Sequence, residues 1–324
     1  MESGKAVIVS IAAAVLIYVT AIELAGYHKV SEAFHRISAL TWLLVLSLSL
    51  VSFLVRFVRW HFLLDHLGHR VPVLPGLAFY MAGFALTTTP AKIGEAVRLW
   101  YLHRESKIPY AESAPIFIFE QILDILVVVL LSFLALSVIL PSIDQRLWIA
   151  AVLLGLLLVP VTLARADRLA ALVLALLKRR GFTKLEDVGT NSKIFIQSLH
   201  SLAASHVFLP SLVVGLFAWL APGLGLYLIL RNLGMGVMVG PETAVGIFML
   251  SLIAGVVSII SGGVGTTEGA LAVLLTIIGI DPPTAVTAAI ISRTSTLWFA
   301  VGLGALATLG IASVDSWPEA SVKR

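Results

Sequence analysis

Residues 76–102 read GLAFYMAGFALTTTPAKIGEAVRLWYL, and this stretch decides how the chain is organised. Its first arm is apolar enough for a membrane interior, yet Thr87-Thr88-Thr89-Pro90 interrupts it, and Lys92, Glu95 and Arg98 follow. Crossing a hydrocarbon core takes about 20 apolar residues of helix, so each arm is too short to span. The segment reads as a broken hairpin that enters and leaves on one side. A second such stretch runs from Pro241 to Ile280, interrupted by Ser261-Gly262-Gly263-Val264-Gly265 and followed by Glu268.

The rest of the chain supplies the setting. Of 324 residues, 59% are hydrophobic and 12% charged, where soluble domains carry about 25% charged residues. The solvent for so much apolar surface must be lipid. Full-length apolar spans are expected at Ala6–Gly26, Leu40–Leu64, Pro115–Leu140, Leu147–Ala164, His206–Leu230 and Thr284–Gly310. The expectation is an all-α polytopic membrane protein, a single membrane domain over 1–324 with about six spanning helices and two broken hairpins. The first run is long enough to be a helix rather than a cleaved signal. The absence of cysteine excludes disulfides, thiolate metal sites and cysteine nucleophiles. The net charge of +4 fits basic cytoplasmic loops and gives no reason to expect nucleic acid as a partner.

Arg165, Arg168, Lys178, Arg179, Arg180, Lys184 and Lys193 cluster in the stretch 165–200, which places it in the cytoplasm. Counting spans then puts both termini, Lys5, Arg70, Arg104 and Lys107 on the same side. Leu169, Leu172, Val173, Leu176 and Leu177 recur at helical spacing, which suits a helix on the inner headgroups or a plain linker helix.

The two hairpins belong to an internal repeat. Leu67-Gly68 and Pro75 match Leu233-Gly234 and Pro241 at an offset of 166, while Glu95, Pro109 and Glu120 match Glu268, Pro282 and Arg293 at 173. Half one covers about 40–140 with its hairpin at 76–105, and half two about 206–310 with its hairpin at 241–280. By the span count the hairpins enter from opposite sides, so the repeat is inverted. Inverted repeats with broken helices characterise transporters, with binding at the midplane between the halves.

Ionisable groups at membrane depth mark candidate sites. In Pro90–Arg98, a helix starting at Pro90 would offer free N–H groups to an anion, with Gly94 in its first turns. Lys92 and Arg98 add positive charge, and Glu95 lies three residues from each. The alternative has Lys92 and Arg98 reaching to the headgroups. Gly262, Gly263 and Gly265 fit either a phosphate cradle before Glu268 or close helix packing. Glu120 and Asp124 share one face of the third span, and Arg293 on the last span is their expected partner across the repeat. Arg56 and Arg59 fit either a guide for an anionic headgroup or interfacial anchors beside Trp60. His61, His66 and His69 have no neighbouring carboxylate that would make a metal site, and no cofactor is expected.

The Pro90–Arg98 stretch resembles the P-x-[KR]-x-G-E-x-x-R signature of the lysylphosphatidylglycerol synthase transmembrane, or flippase-like, family. Ser261–Gly269 is similar to its G-G-x-G-x-x-E-G signature, and Glu120, Asp124 and Arg293 fall where its charged span residues do. Thr266-Thr267 depart from the bulkier or basic residues common there. The resemblance implies a stand-alone relative of the membrane half of the multiple peptide resistance factor, in a bacterial cytoplasmic (inner) membrane. Its expected partners are the lipid bilayer and a lipid substrate. Members with a synthase domain move aminoacyl-phosphatidylglycerol between leaflets, and stand-alone relatives are associated with hopanoid-linked and polyprenyl-linked lipids. Without an aminoacyl-transferase domain in these residues, lysyl transfer is not expected. The sequence leaves oligomeric state open. It also leaves two other readings: an intramembrane enzyme using Glu120 and Asp124 as acid and base, and a non-transporting partner of a lipid-modifying complex.

Overall fold

The computed structural model of the chain describes residues 19–20, 23, 26–89, 94–139, 146, 150, 154–155, 186–258, 261–313 and 321–322. The expected spans at Ala6–Gly26 and Leu147–Ala164, the helix at Leu169–Leu177, Pro90 and Lys92 lie outside those residues or nearly so. In chain order the helices are α1 (Tyr27–His35), α2 (Ala39–His66), α3 (Val73–Gly83), α4 (Val97–Ser106), α5 (Tyr110–Ile139) and α6 (Glu186–Ala203). They continue with α7 (Ser205–Asn232), α8 (Pro241–Val257), α9 (Thr266–Ile277), α10 (Pro282–Arg293) and α11 (Phe299–Ala312). A π turn at Thr294–Trp298 joins the last two into one run. Four runs, in α2, α5, α7 and α10–α11, are long and apolar enough to cross a membrane, and this is an all-α multi-pass membrane protein. Leu43, Val58, Leu306 and Leu309 point outward from these runs, a position that lipid tolerates without cost.

Local chemistry repeats where the sequence repeats. Ser38 caps α2 by accepting the Thr41 N–H at 3.1 Å. At the other end Gly68 takes φ 91, and its N–H returns to the Asp65 carbonyl at 3.0 Å. Gly234 ends α7 in the same way, with φ 84 and its N–H on the Arg231 carbonyl at 3.1 Å. Both Leu-Gly pairs are thus left-handed helix stops, and each aims the chain back into the next broken hairpin.

In both hairpins the helix is interrupted. Helix α3 gives way to a 3-10 turn at Phe84–Leu86, a second 3-10 turn covers residues 94–96, and α4 begins at Val97. The helix start expected at Pro90 lies outside the described residues, among which helix resumes at Val97. The Thr89 hydroxyl donates to the Leu86 carbonyl at 2.8 Å and accepts the Gly94 N–H at 2.7 Å. Between α8 and α9, Gly262, Gly263 and Gly265 adopt φ values of 64, 64 and 82, a region that side chains rarely enter.

Packing between the halves is reciprocal. Among the described residues, helices α2 and α7 make the most extensive contact, lying along one another. The first arm of hairpin one, α3, rests on α11 of the other half, and the first arm of hairpin two, α8, rests on α5. Each contact turns on a glycine: a Cβ on Gly304 would strike the backbone of Phe84 and Ala85, and one on Gly246 would strike Ala135. At one end of the bundle the Ser38 N–H donates to Asn232 Oδ1 at 3.2 Å, and Gly279 lies beside Met238. At the other, His66 Nε2 and Ser201 Oγ are 2.9 Å apart, and His69 meets Glu112 at 2.8 Å. Each of these contacts joins residues expected on the same side. Helix α6 occupies the last part of the stretch expected as loop, because Leu199 and Leu202 are buried and the helix packs on α5.

Two predictions test this packing. Gly246→Val should overpack the α8–α5 contact, costing about 1–3 kcal/mol, and lower the melting temperature of the detergent-solubilised protein. The second concerns His69, whose pKa burial holds below the ordinary value although the Glu112 carboxylate pulls it upward. The folded state then binds fewer protons, so this contribution is present above about pH 6.5 and lost as pH falls below it. Melting curves at neutral and mildly acid pH should show an acid loss that is smaller in His69→Gln.

Candidate functional site

Five charged side chains meet inside half one. Arg56 and Arg59 project from α2, Arg98 from α4, and Glu120 and Asp124 from α5, all buried. Asp124 is shared, with Oδ2 accepting Arg56 Nη2 at 2.8 Å and Oδ1 accepting Arg59 Nη2 at 2.7 Å. Glu120 likewise bridges Arg59 at 3.5 Å and Arg98 at 2.8 Å. The second of these is a charge contact off the line of a hydrogen bond, since Glu120 Oε2 has none. Glu120 and Asp124 are four residues apart, hence on one helical face, and that spacing lets one helix serve three arginines.

The guanidinium groups sit on aromatic rings. Arg56 lies 5.0 Å from the Trp219 centroid and 5.9 Å from that of Phe84. Arg98 lies 5.0 Å from both Tyr80 and Phe117. Cation–π contact strengthens when the cation is desolvated, as both are here. Room for Arg59 comes from Gly215 on α7, where a Cβ would stand 2.9 Å from Nη1. Arg56 Nε, Arg59 Nε and Nη1, and Arg98 Nε have no hydrogen-bond acceptor among the described residues.

Arg56 and Arg59 are therefore buried within the helix bundle and paired with Asp124. The helix continues to His66, so Arg59 lies about 10 Å inside its end at about 1.5 Å per residue. Arg98 turns to Glu120 rather than pairing with Glu95 along its own helix, because Glu95 sits in the 3-10 turn before α4. Buried Glu95 accepts instead from the Thr87 hydroxyl at 2.8 Å. Gly94 is required here: a Cβ on it would strike Leu86 and Thr89. Of the three histidines, His66 lies against Ser201, and His69 meets a carboxylate distant in sequence, that of Glu112.

In half two, Arg293 does not reach Glu120 or Asp124, which corrects the expected pairing. It sits at the end of α10 against its own hairpin, where Nε donates to Glu268 Oε1 at 3.0 Å and Nη2 to the Gly262 carbonyl at 3.0 Å. The other oxygen of Glu268 reaches back to the Gly265 N–H at 2.7 Å, half of a capping box. The glycine turn is thus engaged on both sides by the protein's own charged groups. Below Arg293 the π turn is lined by hydroxyls, with Ser295 and Thr296 both donating to the Ser292 carbonyl at 3.0 and 2.7 Å.

The two breaks also meet. A Cβ on Gly262 would stand 2.9 Å from Thr88 Cα and 3.5 Å from the Thr87 carbonyl oxygen. Thr87, Thr88, Tyr80 and Trp219 thus join the site, although the sequence marks Thr87 and Thr88 only as a break in the hairpin, Trp219 only as an interfacial or packing aromatic, and Tyr80 not at all. The only signal was the run of three threonines where a membrane arm should continue.

Removing one member of a buried pair strands its partner. Asp124→Ala should cost about 3–5 kcal/mol, because it leaves both Arg56 and Arg59 short of a counter-charge. Glu268→Gln and Arg293→Gln should each lower the melting temperature. The double variant should lie closer to the wild type than the sum of the singles; additive losses would show that the pair does not act as a unit.

No curated protein matches the chain in a search of such proteins. The family model described as the lysylphosphatidylglycerol synthase TM region matches residues 6–304, which takes in both hairpins and every residue of the site. The chain belongs to the lysylphosphatidylglycerol synthase transmembrane family.

Proposed function

We propose that this protein is a lipid translocator, with the charged interior between the two broken hairpins holding the headgroup while the acyl tails stay in the bilayer. Family membership supports a lipid-related membrane function. The observation that carries the finer reading is the buried arginine network of half one, with N–H groups on Arg56, Arg59 and Arg98 that no described residue accepts. A headgroup rich in acceptor oxygens suits such donors. The substrate class we assign is an anionic or modified lipid, whether aminoacyl-, hopanoid- or polyprenyl-linked.

Alternating access needs two related halves, and the repeated Leu-Gly stops and reciprocal packing of α3 on α11 and α8 on α5 support an inverted repeat with re-entrant hairpins. The side-by-side contacts at each end support hairpins that enter from opposite faces. On this reading the membrane is the bacterial cytoplasmic one with both termini inside. Glu120 and Asp124 are engaged by arginines, a use of both carboxylates in charge pairing that supports transport over acid–base catalysis.

Reconstitution tests this. Vesicles of phosphatidylethanolamine and phosphatidylglycerol carrying a trace of fluorescent or aminoacylated phosphatidylglycerol should exchange it between leaflets faster with the protein than without. Glu95→Gln and Arg98→Gln should slow exchange at least about tenfold, equivalent to about 1.4 kcal/mol. Exchange equal to that of empty vesicles, with no effect of either variant, would remove the translocator reading.

A further inference from the structure

The meeting of the two breaks has an unusual build. Thr87 and Thr88 are buried at the tip of hairpin one, and Gly262 faces them from hairpin two with φ 64. The contact is backbone against backbone, too close for any side chain at residue 262. Each tip is fastened to its own half by a charged group. Glu95 accepts the Thr87 hydroxyl at 2.8 Å on one side. On the other, Arg293 holds the Gly262 carbonyl at 3.0 Å while bound to Glu268 at 3.0 Å. Between the tips themselves no hydrogen bond or ion pair crosses among the described residues. Two surfaces that meet at Thr88 and Gly262 through backbone packing can part there without breaking a polar contact of either residue with the other, and a packed interface of that kind has two discrete states rather than a graded one.

We propose that the Thr88–Gly262 contact is the closed gate of the translocation route, and that Thr87 is the positioning residue that ties this gate to Glu95. The proposal rests on the transport reading above and adds to it the place where the route shuts. A headgroup that draws Glu95 away from Thr87, or competes with Gly262 for Arg293, loosens one tip from its half and opens the contact. Gly262 is needed because a Cβ would wedge the tips, and a hydroxyl is needed at 87 because valine of the same shape cannot donate to Glu95.

The natural chain has no cysteine, so engineered thiols report without background. The experiment uses the full chain in phosphatidylethanolamine–phosphatidylglycerol vesicles with fluorescent phosphatidylglycerol as probe. Oxidation of the Thr88→Cys/Gly262→Cys double variant should link the tips, drop leaflet exchange to the empty-vesicle level and leave it recoverable by reductant; oxidised wild type should be unaffected. Exchange by the linked protein at the rate of the reduced form would overturn the gate. Should the reduced double variant be inactive, Thr88→Cys with Gly262 intact decides: a bulky maleimide should attach and stop exchange, and failure to attach while exchange runs, or attachment without effect, would overturn the gate. Thr87→Val should slow exchange about tenfold and Thr87→Ser should restore it; equal rates in all three would remove Thr87 from the role. If wild type itself exchanges no lipid, the transport reading fails, an outcome separate from wild type that exchanges lipid through linked tips.

Discussion

A charge in hydrocarbon must find its opposite, and that requirement sets the geometry of this fold. An isolated buried ion costs several kcal/mol, more than any single helix contact returns. Arg56, Arg59, Arg98, Glu120 and Asp124 are buried together, so α2, α4 and α5 can lie only where three guanidinium groups reach two carboxylates. The place of α4 carries hairpin one with it. Once that hairpin is fixed, its tip stands at Gly262 and α3 stands against α11. Apolar packing fills the remaining volume, but it is the pairing of charge that leaves so few arrangements open.

The second half solves the same problem with fewer parts and the opposite polarity. In half one the spanning helix brings the carboxylate and the broken arm the arginine, Glu120 to Arg98. In half two the spanning helix brings the arginine and the broken arm the carboxylate, Arg293 to Glu268. Both pairs clamp the second arm of a hairpin to the span that follows it. Half one adds the two α2 arginines and the aromatic faces of Tyr80, Phe84 and Phe117, with Trp219 reaching in from α7 of half two. The halves therefore differ in chemistry, and the arginine N–H groups without an acceptor among the described residues lie in half one.

Much of the scaffold was legible from residue type alone. Four apolar runs gave four long helices, both Leu-Gly pairs gave left-handed stops, and Gly262, Gly263 and Gly265 took backbone angles that their lack of a side chain permits. Glu95, Arg98, Glu120, Asp124, Glu268 and Arg293 were identifiable because ionisable residues are costly in apolar sequence. What sequence spacing could not supply was partnership. Arg56 looks interfacial until its helix is seen to run on to His66, and Arg293 looks like a partner for Glu120 until its own hairpin proves nearer. The Thr89 hydroxyl accepts the Gly94 N–H ahead of α4, and hydroxyls compete for one carbonyl at the π turn after Arg293; neither leaves a hydrophobic period to read. Thr87 was hidden for a related reason, because its role is defined only by where the other hairpin ends.

One property of the ion pairs reaches back to how the protein is made. Among the described residues, every pair buried in the spans joins partners from the same half: Arg56, Arg59 and Arg98 with Glu120 or Asp124, and Glu268 with Arg293. A ribosome delivers the chain from its N-terminus, so the charges of the first half can neutralise one another before any of the second has emerged. Glu268 then waits only 25 residues for its arginine. Insertion into the bilayer can proceed half by half, with these pairs closed as each half emerges, and the packing between the halves, the meeting of the two tips included, is left to be completed last.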